Sequence, residues 1–353
     1  MIQRSFSSRL MILAAMAVNL AAADKPGPNN AITDVPGVRV GHYTVRDGTL
    51  RGTTAILFDG SSTAGVDVRG GNPVVLAESY FRAETVEGQA DAVVFSGGSF
   101  FGIAAVPGVV DYLFEKGMGV STPYGPIPIV PAAVIYDLRI GNARIHPTRE
   151  WGYEAAKNAK SGPVEQGNVG AGAGGTAGKR RGGVPMKGGV GTASLVLAEG
   201  VTVGALVVLN PLGDFVNPLT GDLYAEKGGF ETATAPQVTG AEDRNTSNTT
   251  LVLVATDAEL NKTQLTKIAQ IAQDGLPRAI RPVHTMSDGD VLFAASVGWA
   301  KRKKLSLSSP QAVDRIGTAA ADVVVRAILN GIRSAESIPG FPSYKEWRSN
   351  RTK

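Results

Sequence analysis

Two short runs carry groups able to make and break an acyl bond. Asn248-Thr249-Thr250 sets adjacent hydroxyls where a polar stretch, residues 236–248 (PQVTGAEDRNTSN), meets a β-branched run. Ser287-Asp288-Gly289-Asp290 sets two carboxylates just ahead of another apolar run. A hydroxyl becomes a nucleophile when a neighbouring base takes its proton, and a positioned carboxylate can serve such a centre. Either run alone also reads as an ordinary turn, because Ser, Thr, Asp and Gly bond to their own backbone there.

Absent residue types narrow the chemistry. The chain has no cysteine, so thiol nucleophiles, thiolate metal sites and a disulfide framework are excluded. His42, His146 and His284 are its three histidines. None pair as HxxxH or HExxH, so no metal site is expected and each reads as structural. Gly170, Gly172 and Gly175 satisfy GxGxxG, and Gly178-Lys179 is similar to a phosphate loop. The Walker pattern needs Gly at 173 and Ser or Thr at 180, where Ala173 and Arg180 stand, which argues against a nucleotide module. A net charge of +4 over 353 residues names no nucleic-acid partner. Lys301-Arg302-Lys303-Lys304, without interleaved aromatics, reads as a solvated loop.

The elements that must hold these groups follow from patterning. A length of 353 residues with 43% hydrophobic content supports a large core. Residues 1–23 carry Arg4 and Arg9, an apolar stretch from Leu10 to Leu20 and then Ala21-Ala22-Ala23. That three-part pattern predicts a secretory signal cleaved before Asp24, a periplasmic or secreted protein, and no membrane segment after its removal. Thr53 to Phe58, Ala92 to Phe95, Ala193 to Ala198, Val201 to Leu209, Thr249 to Thr256 and Val291 to Val297 read as buried strands. Pro126 to Asp137 reads as an apolar strand ending in the polar pair Tyr136-Asp137. Ser96-Gly97-Gly98-Ser99 leads into a helix over Phe100 to Lys116. Asn261 with Gln264 predicts a capping box, and Pro310 to Asn330 a helix capped by Ser309 and stopped at Gly331. Without a regular βαβ period, the alternation predicts a layered mixed α/β fold rather than a doubly wound sheet.

Six ordered blocks, AITDVPGVRVGH, SGGSFFG, PIVPAAVIYDL, MKGGVGTAS, LVVLNPLGD and NTTLVLVATDAELNKTQ, make the chain resemble a self-processing peptidase family. That family holds the L-aminopeptidase/D-esterases, the β-peptidyl aminopeptidases and the 6-aminohexanoate-oligomer hydrolase. The resemblance covers roughly residues 30–335 and implies an α/β (α+β) fold, a four-layer αββα sandwich of the N-terminal-nucleophile type. It implies a precursor that cuts itself before a Ser or Thr eight residues ahead of the Asp of an ATDA block. Here that Asp is Asp257, so the cut falls between Asn248 and Thr249. The products are an α chain, 24–248, and a β chain, 249–353, in one folded domain. Thr250 competes as nucleophile, and the spacing to Asp257 prefers Thr249.

After the cut, Thr249 carries a hydroxyl and a free α-amine of reference pKa about 7.7–8.0, able to act as its base. The resemblance further implies that Asp288 and Asp290 orient and charge-balance that threonine, as in Thr-type members; Ser-type members carry Ser-Gly-Glu instead. Asn210 matches the oxyanion-hole amide, Lys187 a site lysine with Lys179 as its rival, and Tyr136 a tyrosine lining the substrate site. The expected activity is hydrolysis of amide bonds next to a free primary amine in small peptides, β-peptides, amino-acid amides or oligomers. Neither a metal nor a cofactor is expected, and homo-oligomers of processed units are. An ornithine acetyltransferase-like transferase and a non-catalytic exported binding protein are the alternatives.

Overall fold

The computed structural model describes residues 23–179, 184–217, 222–227, 248–298, 302–304, 307 and 309–351. In chain order the first half holds β1 (Val38–Val45), β2 (Arg51–Val68), β3 (Val75–Leu76), β4 (Gln89–Ser96), α1 (Val106–Glu115), the hairpin β5 (Val120–Thr122) and β6 (Gly125–Ile127), β7 (Ala132–Val134) and α2 (Arg149–Lys157). The second holds the pair β8 (Thr176–Ala177) and β9 (Met186–Lys187), then β10 (Val190–Val196), β11 (Thr202–Asn210), α3 (Tyr224–Lys227), β12 (Thr249–Thr256), α4 (Lys262–Ala272), α5 (Gly275–Ala279), β13 (Val291–Ser296), α6 (Ser309–Ser334) and α7 (Tyr344–Arg351).

One strand links the two β layers. The main sheet runs β10-β11-β12-β13-β2-β4-β7-β3, with β1 also on β2. The 18 residues of β2 divide the work. Arg51 to Phe58 pair with β1, Thr63 to Val68 pair with β13, and the register on β4 shifts between Leu57 and Ser62. Such an irregularity bends a strand and increases its twist. The two halves of the sheet then face each other: Phe81 and Phe95 from one half stand 6.4 and 6.5 Å from Phe293 of the other.

Three cores result, and with them four layers. Leu206, Val208, Leu251 and Leu253 pack between the sheets with Phe58 and Phe95. Their neighbours Val207, Leu209, Val252 and Val254 turn outward against Leu265 and Ile268 of α4 and Ile316 and Val324 of α6. On the opposite side Leu57 and Val94 meet Val109, Leu113 and Ala155 of α1 and α2. Side chains alternate across a strand, so a strand covered on both faces needs the unbroken apolar run that LVLVAT supplies. Each such side chain buried contributes roughly 1.5–3 kcal/mol. The αββα sandwich is thus the observed architecture.

Contacts at atomic range explain several boundaries. Asn261 caps α4 reciprocally: Gln264 N–H donates to Asn261 Oδ1 at 2.9 Å and Asn261 N–H to Gln264 Oε1 at 2.8 Å. The stretch expected as one strand over Pro126 to Asp137 pairs instead as β6 and the three residues of β7, because Pro128 and Pro131 have no N–H to give a ladder. The helix expected to stop at Gly331 runs on to Ser334. Gly331 packs on the neighbouring strand: a Cβ there would stand 3.0 Å from Leu209 Cδ1 and 3.1 Å from the Gly191 backbone. The basic run is only partly the solvated loop expected of it, since Lys303 Nζ lies 2.8 Å from the buried Asp257 Oδ2.

The α1–α2 contact is closer than side chains permit. A Cβ on Gly108 would fall 1.8 Å from Arg149 O, and one on Gly152 would fall 1.8 Å from Ala105 O. Gly152→Ala is therefore expected to force the helices apart and cost about 1–3 kcal/mol, as overpacking does. Urea unfolding checks this; an unchanged midpoint would refute it.

Candidate active site

Three strand ends converge where the sequence placed its chemistry. The antiparallel register of β11 and β12 sets Asn210, the last residue of β11, opposite Thr249, the first of β12. Asn248 bridges in parallel to Asp288 in the segment before β13. Thr249 Oγ1 donates to the carbonyl oxygen of Asn248 at 2.5 Å, so the hydroxyl lies against the peptide bond that precedes it. The same carbonyl accepts Gly289 N–H at 2.6 Å, and Asn248 N–H donates to Ser287 O at 2.9 Å. Gly289 has to be glycine here, for a Cβ would stand 2.8 Å from Thr249 Oγ1 and 2.7 Å from Asn72 O. The alternation of β12 turns Thr250 to the other face.

Both carboxylates are fully buried, and the backbone occupies them. Asp288 Oδ1 accepts Leu212 N–H at 3.0 Å, while Oδ2 accepts Thr285 N–H at 3.0 Å and its hydroxyl at 2.6 Å. Asp290 Oδ1 accepts Thr250 N–H at 2.6 Å, and Oδ2 accepts His284 N–H at 3.0 Å and lies 2.9 Å from His284 Nδ1. Burial, followed by the nearby charge of Asp290, pushes the Asp288 carboxyl above its ordinary range. Both residues stand beside Thr249, and their side chains hydrogen-bond to Leu212, Thr285, Thr250 and His284.

Asn210 is held at both ends of its amide. Its Nδ2 donates to Tyr136 O at 3.0 Å, and its Oδ1 accepts Thr176 N–H at 3.1 Å and Lys179 Nζ at 2.8 Å. Lys179, the rival lysine, is thus the one on the oxyanion-hole candidate. Lys187, fully buried, donates to Gly175 O at 2.8 Å and Gly188 O at 3.1 Å. Tyr136 is half-buried and meets Asn210 through its carbonyl. The next residue, Asp137, pairs with Arg51 at 2.8 Å with both side chains wholly buried.

Desolvation lowers both ammonium groups to about 7. For Lys187, the charge of Asp137 opposes that shift. A neutral amine still has the two N–H donors its two carbonyl partners need. The unfolded lysine keeps its proton up to about 10.5, whereas the folded one releases it above about 7. Across that window the unfolded state binds the extra proton, so the group's contribution to stability rises by about 1.4 kcal/mol per pH unit. Urea unfolding at pH 7.5 and 9.5 is expected to show the wild type gaining on Lys187→Met; an unchanged difference would remove the neutral lysine.

Several groups escaped the sequence reading. His284 reads as an isolated structural histidine, yet it sits on Asp290 with a left-handed backbone, φ 57°. Thr285 and the Gly289 N–H were equally silent, because a backbone donor leaves no residue-type signature and the Thr285-to-Asp288 spacing, unlike that of Asn261 and Gln264, opens no helix. Gly170 to Gly172 form a buried 3-10 turn. Among the described residues no group of three His, Asp or Glu could hold a metal. Cavities of about 830 and 690 Å³ are lined by other residues, among them Thr85 and Lys262 in the first and Pro277 and Leu329 in the second.

The chain is similar to known proteins in sequence and in fold. The sequence model of peptidase family S58 matches residues 30–345. An uncharacterised aminopeptidase of Mycobacterium leprae, ML1167, is 38% identical over 346 residues, covering 90% of this chain and 94% of the relative. The 6-aminohexanoate-oligomer endohydrolase of Paenarthrobacter ureafaciens is 29% identical over 332 residues, 89% of each chain. In fold, the L-aminopeptidase D-Ala-esterase/amidase of Ochrobactrum anthropi, described as a variant of the Ntn hydrolase fold, superposes with a TM-score of 0.68 at 24% identity. That match covers 92% of this chain and 94% of the other.

Proposed function

Because this chain belongs to peptidase family S58 and is a hydrolase of the aminopeptidase and amidase kind, we propose that it cuts itself between Asn248 and Thr249 and then uses Thr249 as nucleophile. The observation that carries this reading is the Thr249 hydroxyl lying 2.5 Å from the carbonyl oxygen of Asn248. Attack on that carbonyl carbon forms an ester through Oγ1 and releases the Thr249 nitrogen as an amine; water then hydrolyses the ester. Thr249 is only 3% exposed in the uncut chain. Substrate reaches it once the freed end at Asn248 gives way. The α chain, 24–248, and β chain, 249–353, stay together because β11 and β12 pair along eight residues from Val203↔Thr256 to Asn210↔Thr249.

In turnover the α-amine of Thr249 takes the hydroxyl proton. The Asn210 amide donates to the oxyanion of the substrate carbonyl. Lys179 fixes that amide, and Lys187 adds a buried amine nearby. Asp288 and Asp290 hold the backbone around the threonine, and Tyr136 borders the substrate. Substrates are small peptides, β-peptides, amino-acid amides or oligomers with a free primary amine beside the cleaved bond, and processed units assemble into homo-oligomers.

Export after loss of residues 1–23 fits the way the fold takes hold of residue 24. Asp24 Oδ1 accepts Ala198 N–H at 3.0 Å, Arg315 Nη1 meets Asp24 Oδ2 at 2.9 Å, and Lys25 bridges to Val196. The substrate reading is tested with amino-acyl amides whose amine is free or acetylated. Hydrolysis is expected only with the free amine. Equal rates on both would sink it, and acetyl transfer to ornithine would favour the transferase.

A further inference from the structure

In the uncut chain two different donors face two different carbonyls. Gly289 N–H points at Asn248 O at 2.6 Å, whereas Asn210 Nδ2 is bonded to Tyr136 O at 3.0 Å. We infer that the Gly289 N–H stabilises the oxyanion of self-cleavage, and that Asn210 serves only the later turnover of substrate. This rests on self-cleavage at Thr249 as proposed above.

The chemistry assigns each donor its step. Thr249 Oγ1 bonds to the Asn248 carbonyl carbon, and the carbonyl oxygen becomes the oxyanion facing Gly289 N–H. Collapse breaks the Asn248–Thr249 C–N bond, and the hydroxyl proton ends on the Thr249 nitrogen. Water then gives the Asn248 carboxylate and restores Oγ1–H. During this step the carbonyl is tethered through the Thr249 nitrogen. A substrate carbonyl arrives at Oγ1 untethered, so its oxygen has no reason to occupy the same place.

The structure holds the Gly289 donor firmly. Asn72 N–H donates to Asp288 O at 2.8 Å, and Arg69 and Gly70 N–H donate to Asp290 O at 3.1 and 3.2 Å. The two flanking side chains are anchored as well, Asp288 by Leu212 and Thr285, Asp290 by Thr250 and His284. Asp288 and Asp290 act here as positioning residues for the N–H between them. A donor fixed before charge develops needs no reorganisation, which is what makes such groups effective.

The test uses full-length wild type, Asn210→Ala, Gly289→Ala and Gly289→Pro, following the cut by intact mass over time and turnover with an amino-acyl nitroanilide. Asn210→Ala is expected to cut within about threefold of the wild-type rate while its turnover falls by about 10²–10³-fold, the usual loss for an oxyanion donor. Gly289→Ala adds a Cβ 2.8 Å from Thr249 Oγ1 but keeps the N–H, and is expected to cut. Gly289→Pro adds the same atom and lacks the N–H, and is expected to stay uncut when shown folded by circular dichroism. The inference is overturned if Asn210→Ala slows the cut as much as turnover, or if folded Gly289→Pro cuts at the wild-type rate. Should Gly289→Pro not fold or Gly289→Ala stay uncut, glycolate in place of Gly289 removes the N–H and adds no atom, and a cut at the wild-type rate there overturns the inference. A wild type that never cuts before Thr249 would strike instead at the proposed function beneath it.

Discussion

Replacing Thr249 with Ala is expected to leave a single uncut chain and to lower kcat/KM on amino-acyl nitroanilides by on the order of 10⁶. The size follows from losing the proposed nucleophile and, with the chain uncut, the α-amine proposed as its base. Thr249 also stays as buried as it is now, at 3% exposure, so substrate has no path to the centre. Thr249→Ser keeps a hydroxyl at the same point and is expected to cut. Thr250→Ala is expected to cut as well, because β12 turns that side chain to the opposite face. Gel analysis of the three variants beside their rates checks this, and a cut Thr249→Ala chain, or an uncut Thr250→Ala chain, would reassign the nucleophile.

Arg51→Met is expected to give the largest loss of stability, about 3–5 kcal/mol, the cost of leaving a buried charge without its partner. Arg51 gives Nε to Asp137 Oδ1 at 2.8 Å, and its remaining nitrogens reach the carbonyls of Asp137, Ile140, Asn142 and Ile145. Burial already pushes the Asp137 carboxyl above its ordinary range against the pull of Arg51. Without Arg51 that shift grows. A carboxyl whose folded pKa lies above its unfolded value favours folding at low pH and loses that contribution as pH rises. The deficit should therefore be greatest at neutral pH and shrink toward acid, where Asp137 holds a proton. Asp137 follows Tyr136, whose carbonyl holds Asn210, so turnover is expected to fall in the folded variant too. Urea unfolding at pH 7 and pH 4.5 measures it; a loss under 1 kcal/mol or one independent of pH would contradict the role given to this pair.

What could be read in advance depended on whether a residue's partner was local. Thr249 to Thr256 matches β12 residue for residue, because a β-branched run between polar segments admits one pleated strand. The Asn261 cap was legible for the same reason, both partners lying within one turn. By contrast β2 extends ten residues beyond Phe58, through Gly60, and nothing near Gly60 signals that one strand serves two layers. The convergence of Asn210, Thr249, Asp288 and Asp290 was expected from family resemblance rather than spacing, since 78 residues separate Asn210 from Asp288. The direct bonds of the two carboxylates were not legible. They run to backbone N–H groups of Leu212, Thr285, Thr250 and His284, and every residue except proline offers such a donor.

Intact mass spectrometry with amino-terminal sequencing of the purified wild-type protein tests the central claim most directly. The expected result is two polypeptides, the smaller beginning at Thr249. A fully active chain that remains uncut, or a second polypeptide beginning at any other residue, would contradict it.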